Sequence, residues 1–342
     1  MCDAEGEPLK KIVDYMQINY PEASIGLIGC RAVKVNHPIC EYDLLIVNGY
    51  DGHNEHEAYQ SRISFQEHTL DIIHIARGIE LDKIDPWLGM ALKDIQIFVD
   101  HDWRLHSLKS NVKEYVSRFK SRFVNECLYR ALMKLARSHN SFLQNDLMSA
   151  NFWLKSTAYD YVKALITHSL DVPRPSHLFD QLRAISNPTQ SNMIEIIIDV
   201  MGLDFANETS IKRMVEAFGK MAELYTEFND HAYLSYDLPL HLEYPLVKER
   251  VKYLVSIGSI VQAYCYLSYM IVRGIESLYD AISRSMKINP KYDVVISELM
   301  NYPNFKADVI NMLELIVDRQ RIDGQIKGMK MLIKEFENKF FR

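Results

Sequence analysis

Cysteine is scarce and unpatterned in this 342-residue chain: five residues, Cys2, Cys30, Cys40, Cys127 and Cys265, with no CxxC pair among them. An odd, scattered set argues against a disulfide framework or a structural zinc site and fits a reducing, cytoplasmic compartment. The opening residues, MCDAEGEPLKK, hold no apolar core of signal-peptide type, so no secretory signal is expected. Fixed-period repeats and low-complexity linkers are also missing. Basic residues are scarce in the first third: residues 1–107 carry 9 Lys and Arg against 18 Asp and Glu, while the remainder carries 30 against 27. An acidic first region is a poor non-specific nucleic-acid binder, because phosphate contacts need Lys and Arg. Long apolar runs are nearly absent too. One stretch, YLVSIGSIVQAYCYLSYMIV, has twenty uncharged residues at 253–272, diluted by Ser256, Ser259, Gln262, Ser268 and four tyrosines. With no second candidate span, it predicts a buried central helix and no membrane segment.

What is present suffices for a large core: 48% of residues are hydrophobic and 25% charged, and the length suggests about two domains. Helical periodicity marks 8–20, and Pro21 ends it. Short β-rich runs follow at 25–28, 42–47, 69–75 and 95–99, with a polar, glycine-containing loop expected over 48–62 and a helix over 81–93. Beyond residue 107 almost every segment has helical period: 111–138, 146–170, 176–186, 190–202, 209–229, 245–286, 292–299 and 304–341, punctuated by prolines. Strands first and helices afterwards predict an α+β fold, a small mixed-sheet domain over 1–107 followed by a large all-α domain over 108–342.

The chemistry concentrates at 24–47. An apolar run ends at Gly29-Cys30, and twelve positions after Gly29 comes Glu41-Tyr42-Asp43, leading into another apolar run. Side chains alternate along a strand, so Glu41 and Asp43 share a face. Acids side by side are costly, and a divalent cation between them resolves the cost.

These residues resemble the nucleotidyltransferase superfamily related to DNA polymerase beta. Gly29-Cys30-Arg31-Ala32 matches the superfamily's Gly-Ser-Arg-Ala, Glu41-Tyr42-Asp43-Leu44 matches its Asp-x-Asp-Leu, and Asp71 in TLDIIHI matches its third acid. The resemblance covers about the first 105 residues, and the helical remainder looks like an appended substrate-binding or dimerisation domain. It implies transfer of a nucleoside monophosphate from a nucleoside triphosphate, ATP first among them, to an acceptor hydroxyl, with Mg²⁺ or Mn²⁺ as cofactor. Glu41, Asp43 and Asp71 would ligate metal, and Asp71 would also act as base. Gly29 and Cys30 would hold the triphosphate, with Arg31 and Lys34 neutralising pyrophosphate. The acceptor, whether small molecule, RNA or protein, is left open, as is a homodimer. Three positions depart from the pattern: Cys30 stands for Ser and offers only a weak donor, Glu41 stands for Asp, and Val33 replaces a basic residue or glycine. They keep a catalytically degenerate nucleotide-binding or interaction scaffold as the alternative.

Other groups have plainer readings. His53 and His56 fit a solvated acidic loop, and His101, Asp102 and His106 a turn at the domain junction, although they follow the fourth strand near the expected active-site side. Lys109, Lys113, Arg118, Lys120 and Arg122 fit a solvated helix face, with contact to a triphosphate or nucleic acid as the sharper reading. Arg137-Ser138-His139 lacks the Arg–His spacing of HEPN ribonucleases, so no nuclease role is assigned.

Overall fold

A computed structural model of the chain describes residues 6–48, 59–76, 78–170, 172–185, 191–228, 240–302, 305 and 314–340. The described residues fall into two compact units, one up to Arg122 and one from Phe123 onward. The first is α+β, the second helical.

In the first unit, helix α1 (Gly6–Asn19) precedes strand β1 (Ser24–Ile28), the one-turn helix α2 (Gly29–Ala32) and strand β2 (Tyr42–Asn48). Strands β3 (Tyr59–Phe65) and β4 (His68–Ala76), helix α3 (Pro86–Leu92) and strand β5 (Gln96–Val99) complete it. The order in the sheet is β3-β4-β2-β1-β5. Every pairing is antiparallel except β2 with β4, which makes the sheet mixed. One face packs on α1: Ile12 and Met16 meet Ile25, Leu27, Leu44, Ile46, Leu70 and Ile72 in one core cluster. By strand alternation the residues between them, Asp43 and Asp71 included, belong to the other face. Helix α3 starts as its sequence dictates, with the Asp85 carboxylate accepting from the Trp87 and Leu88 N–H groups and Pro86 in the first turn.

Strand β3 corrects the expectation of a loop over 48–62. YQSRISF holds three polar residues in a row and one aliphatic side chain, and its half-buried place at the sheet edge requires no more. Residues 49–58, with His53 and His56, lie outside the described residues.

Helix α4 (Arg104–Leu143) is 40 residues long, and the division between the units falls inside it. Helices α5 (Leu147–Ser169), α6 (Leu178–Ile185), α7 (Ser191–Met201), α8 (Glu208–Phe228), α9 (Leu240–Ser256), α10 (Ile260–Ser285), α11 (Val295–Met300) and α12 (Arg319–Phe340) follow. α5 and α10 are buried nearly all round and carry the centre of the helical core. The twenty-residue uncharged stretch is core from Gln262 to Val272 but exposed at Ser256, Ile257 and Gly258, and it is two helices and not one. Gly258, at φ +76°, ends α9, and the Ser259 N–H returns to the Leu254 carbonyl at 2.9 Å. That left-handed cap suits glycine, which has no Cβ to clash. Among the described residues no helix is long and apolar enough to cross a membrane.

Candidate functional site

The sheet register builds the site. Asp43 on β2 and Asp71 on β4 are direct partners in the parallel pair, so their side chains leave the same face of adjoining strands. Glu41, two residues before Asp43, joins them from the approach to β2. Carboxylate oxygens of Glu41, Asp43 and Asp71 all lie within 4.8 Å of one another. Asp71 is buried, while Glu41 and Asp43 are half-buried. Hard oxygen donors at this spacing fit a hard divalent cation of the Mg²⁺ or Mn²⁺ kind.

Gly29 completes one wall. Ile28 is the β1 partner of Asp43, and the chain turns immediately after it with Gly29 at φ +75°. A Cβ at Gly29 would run into the Asp43 carboxylate. Glycine is therefore required twice here, for the left-handed backbone and for the room left to the acid.

Arg31 is placed differently from its expected role beside pyrophosphate. It is 7% exposed, and its Nε donates to the carbonyls of Cys40 (3.0 Å) and Glu41 (3.2 Å). Its Nη2 donates to those of Pro38 (2.9 Å) and Cys40 (2.6 Å). The guanidinium also stands over the Tyr42 ring at 4.1 Å. These contacts tie the α2 turn to the entry of β2 and fix the backbone that carries Glu41. Lys34, at φ +59°, is exposed on the same turn.

Cys30 is buried, and its thiol is held firmly protonated. A hydrogen bond with Cys40 is the largest cause, followed by burial and the negative charges of Cys40, Asp43 and Glu41. Cys30, Cys40, Cys127 and Cys265 are all free thiols.

Sequence reasoning missed Arg62. It lies opposite Asp71 in the β3–β4 ladder and grips it with a fork, Nε to Oδ1 at 2.5 Å and Nη2 to Oδ2 at 2.7 Å. The available signal was that polar Gln60, Arg62 and Ser64 share one face against Tyr59, Ile63 and Phe65 on the other, which the absence of an aliphatic run concealed.

The His101–His106 group lies at the other end of the sheet. Val99 pairs with Ile25, near the start of β1, whereas the acids gather at its end beside Ile28. There the Asp100 carboxylate accepts from the Leu105 and His106 N–H groups and lies 2.5 Å from His106 Nδ1. Those hydrogen bonds hold its carboxyl below the usual range against the opposing effect of burial. This is a capped helix start. Within the basic run, Lys109 donates to the Ile95 carbonyl at 2.7 Å and Arg122 to the Asp82 carbonyl at 3.2 Å, which are structural uses. Arg137 stacks on Trp153 and Tyr292 at 4.8 and 4.2 Å, inside the helical unit.

A cavity of about 640 Å³ opens in the second unit beside Phe205, Glu314, Asp318 and Arg321. Its main charges are already matched, Arg213 with Glu314 and Arg321 with Asp199 and Asp204.

Neither protein-family models nor curated proteins give a match to this chain. Among solved structures it is similar to a nucleotidyltransferase-like protein from Exiguobacterium sibiricum. The two are 12% identical, with 87% of this chain and 85% of that one covered, at a TM-score of 0.34. A likeness of that extent assigns no residue.

Proposed function

We propose that the first unit is a metal-dependent nucleotidyltransferase that moves a nucleoside monophosphate from a nucleoside triphosphate to an acceptor hydroxyl. The observation that carries this reading is the convergence of Glu41, Asp43 and Asp71 within 4.8 Å on one sheet face, beside a glycine whose missing Cβ leaves the acids room. Glu41 and Asp43 would hold Mg²⁺ or Mn²⁺ together with Asp71. When bound, the cation neutralises the triphosphate and polarises its α-phosphorus.

The remaining work falls to the chain itself. Asp71 is the base that accepts the proton of the attacking hydroxyl. Gly29 keeps the turn open for close approach of the phosphates. Lys34, exposed on that turn, offers its ammonium to the leaving pyrophosphate. Arg31 acts indirectly, by fixing the backbone of Glu41. ATP is the first co-substrate to test, and the acceptor is a small molecule, an RNA end or a protein side chain.

The test is metal-dependent pyrophosphate release with a panel of nucleoside triphosphates. Asp43→Asn should lower it by about a thousandfold, the scale of a lost charge-stabilising group, while circular dichroism stays unchanged. Equal turnover in the variant overturns the assignment.

A second reading, a degenerate scaffold that binds a nucleotide or a partner without turnover, draws on two observations. The Asp71 carboxylate is held by Arg62, and the Cys30 thiol faces Cys40. Calorimetry with Mg²⁺ and triphosphates separates the two: binding without pyrophosphate release selects the scaffold.

A further inference from the structure

The Arg62–Asp71 pair occupies the position the third metal ligand should fill. Both side chains are nearly excluded from water, at 10% and 7% exposure. Both Asp71 oxygens accept from the same guanidinium, at 2.5 and 2.7 Å. A planar fork on a carboxylate is the strongest common geometry for this pair. It also places a full positive charge about 3 Å from the oxygens a divalent cation would use, and at that distance two cations repel strongly in a partly dry site.

We propose that Arg62 is an exchangeable counter-ion of the site: it neutralises Asp71 when no metal is bound and yields at least one Asp71 oxygen when metal enters. The freed guanidinium remains on β3 and turns toward the anionic triphosphate. Three features support this. The register places Arg62 directly across from Asp71, on the edge strand of the sheet. A carboxylate trio without a resident cation would be costly to fold, so the pair stabilises the empty site. Arg62 and metal also compete for the same two oxygens, and such competition is reciprocal by linkage.

Arg62 is a positioning residue under this proposal, which rests on the reading of Glu41, Asp43 and Asp71 as metal ligands. Its test is therefore a binding measurement and not turnover. Mn²⁺ titration followed by electron paramagnetic resonance of the free ion is run on the full chain and on Arg62→Met. The variant should bind Mn²⁺ about tenfold more tightly, within the usual range of site-to-site coupling. Adding Asp71→Asn to it should cancel the gain. Arg62→Lys keeps a cation without the fork and serves where the methionine variant does not fold; it should bind a few-fold more tightly than wild type.

Equal or weaker Mn²⁺ binding in the folded variants overturns the exchange and leaves the function standing. No Mn²⁺ binding by wild type, with binding by Arg62→Met, also overturns the exchange, because Arg62 then blocks the site and never yields Asp71, while the metal reading of the acids stands. No binding by any variant removes the metal reading and the exchange together.

Discussion

Both units gather charge in their interiors, with opposite balance. In the first, three carboxylates crowd within 4.8 Å, and Arg62 grips one of them. In the second, Asp160 is 3% exposed and sits among Lys134 at 2.9 Å, Lys163 at 3.0 Å and Arg130 at 3.8 Å. Glu276 shares Lys134 at 2.9 Å and accepts from Ser156. Burial alone would raise the Asp160 carboxyl, yet the surrounding cations hold it far below the usual range. One acid among several cations is a satisfied network that orients α4, α5 and α10. Asp43 and Asp71 on adjoining strands, with Glu41 just before β2, do the reverse: like charges this close raise the free energy of the fold.

Exchanging acid for amide in each centre tests that contrast most strongly. Asp160→Asn leaves buried cations without their carboxylate and should cost about 3–5 kcal/mol, read as a lower urea midpoint. Asp43→Asn should leave that midpoint unchanged or higher, because it removes like charge. If both variants destabilise equally, the contrast between the centres is wrong. The pH dependence follows with its sign. The Asp160 carboxyl is depressed in the folded state, so its stabilisation is complete above about pH 4, the unfolded value. It is lost as pH falls below that.

A smaller effect comes from another buried charge of the helical unit. Lys155 is 2% exposed, donates to the Glu314 carbonyl at 3.1 Å, and is pulled down to about 8 by burial. The unfolded chain then holds a proton that the folded chain has lost between about pH 8 and 10.4, so stability should rise with pH across that window, by on the order of 3 kcal/mol. Lys155→Met should flatten the rise. A slope that persists in the variant would assign it to another group.

The smallest effect contrasts two glycines at positive φ. Gly258 has open space around it, so Gly258→Ala should cost about 1–2 kcal/mol from backbone strain alone. Gly29→Ala adds a collision with Asp43, so it should cost more and also weaken Mn²⁺ binding. Equal costs would show that the turn at Gly29 can widen.

Much of this architecture was legible before the structure, wherever a periodicity or a motif had a physical cause. The strands carrying Leu44, Ile46, Leu70 and Ile72 announced themselves as apolar runs because their inner face is covered by α1. The helical part was equally plain, since helical period repeats in segment after segment. Strand β3 was not, because an edge strand with half-buried faces needs few aliphatic side chains. The break at Gly258 was hidden inside an uncharged stretch, where composition stays constant while the backbone reverses hand.

The sequence by itself determined that Glu41 and Asp43 share a face, that Gly29 precedes them in a turn, and that strands come before helices; each follows from chain geometry over a few residues. Tertiary structure decided the rest, because pairing between strands has no local signature. It set Asp71 beside Asp43, brought Arg62 across to Asp71, and turned Arg31 inward under the entry of β2. It also sent Asp100 and His106 to the opposite end of the sheet. Register, which no local stretch of sequence specifies, brought Asp71 into one cluster with Glu41 and Asp43.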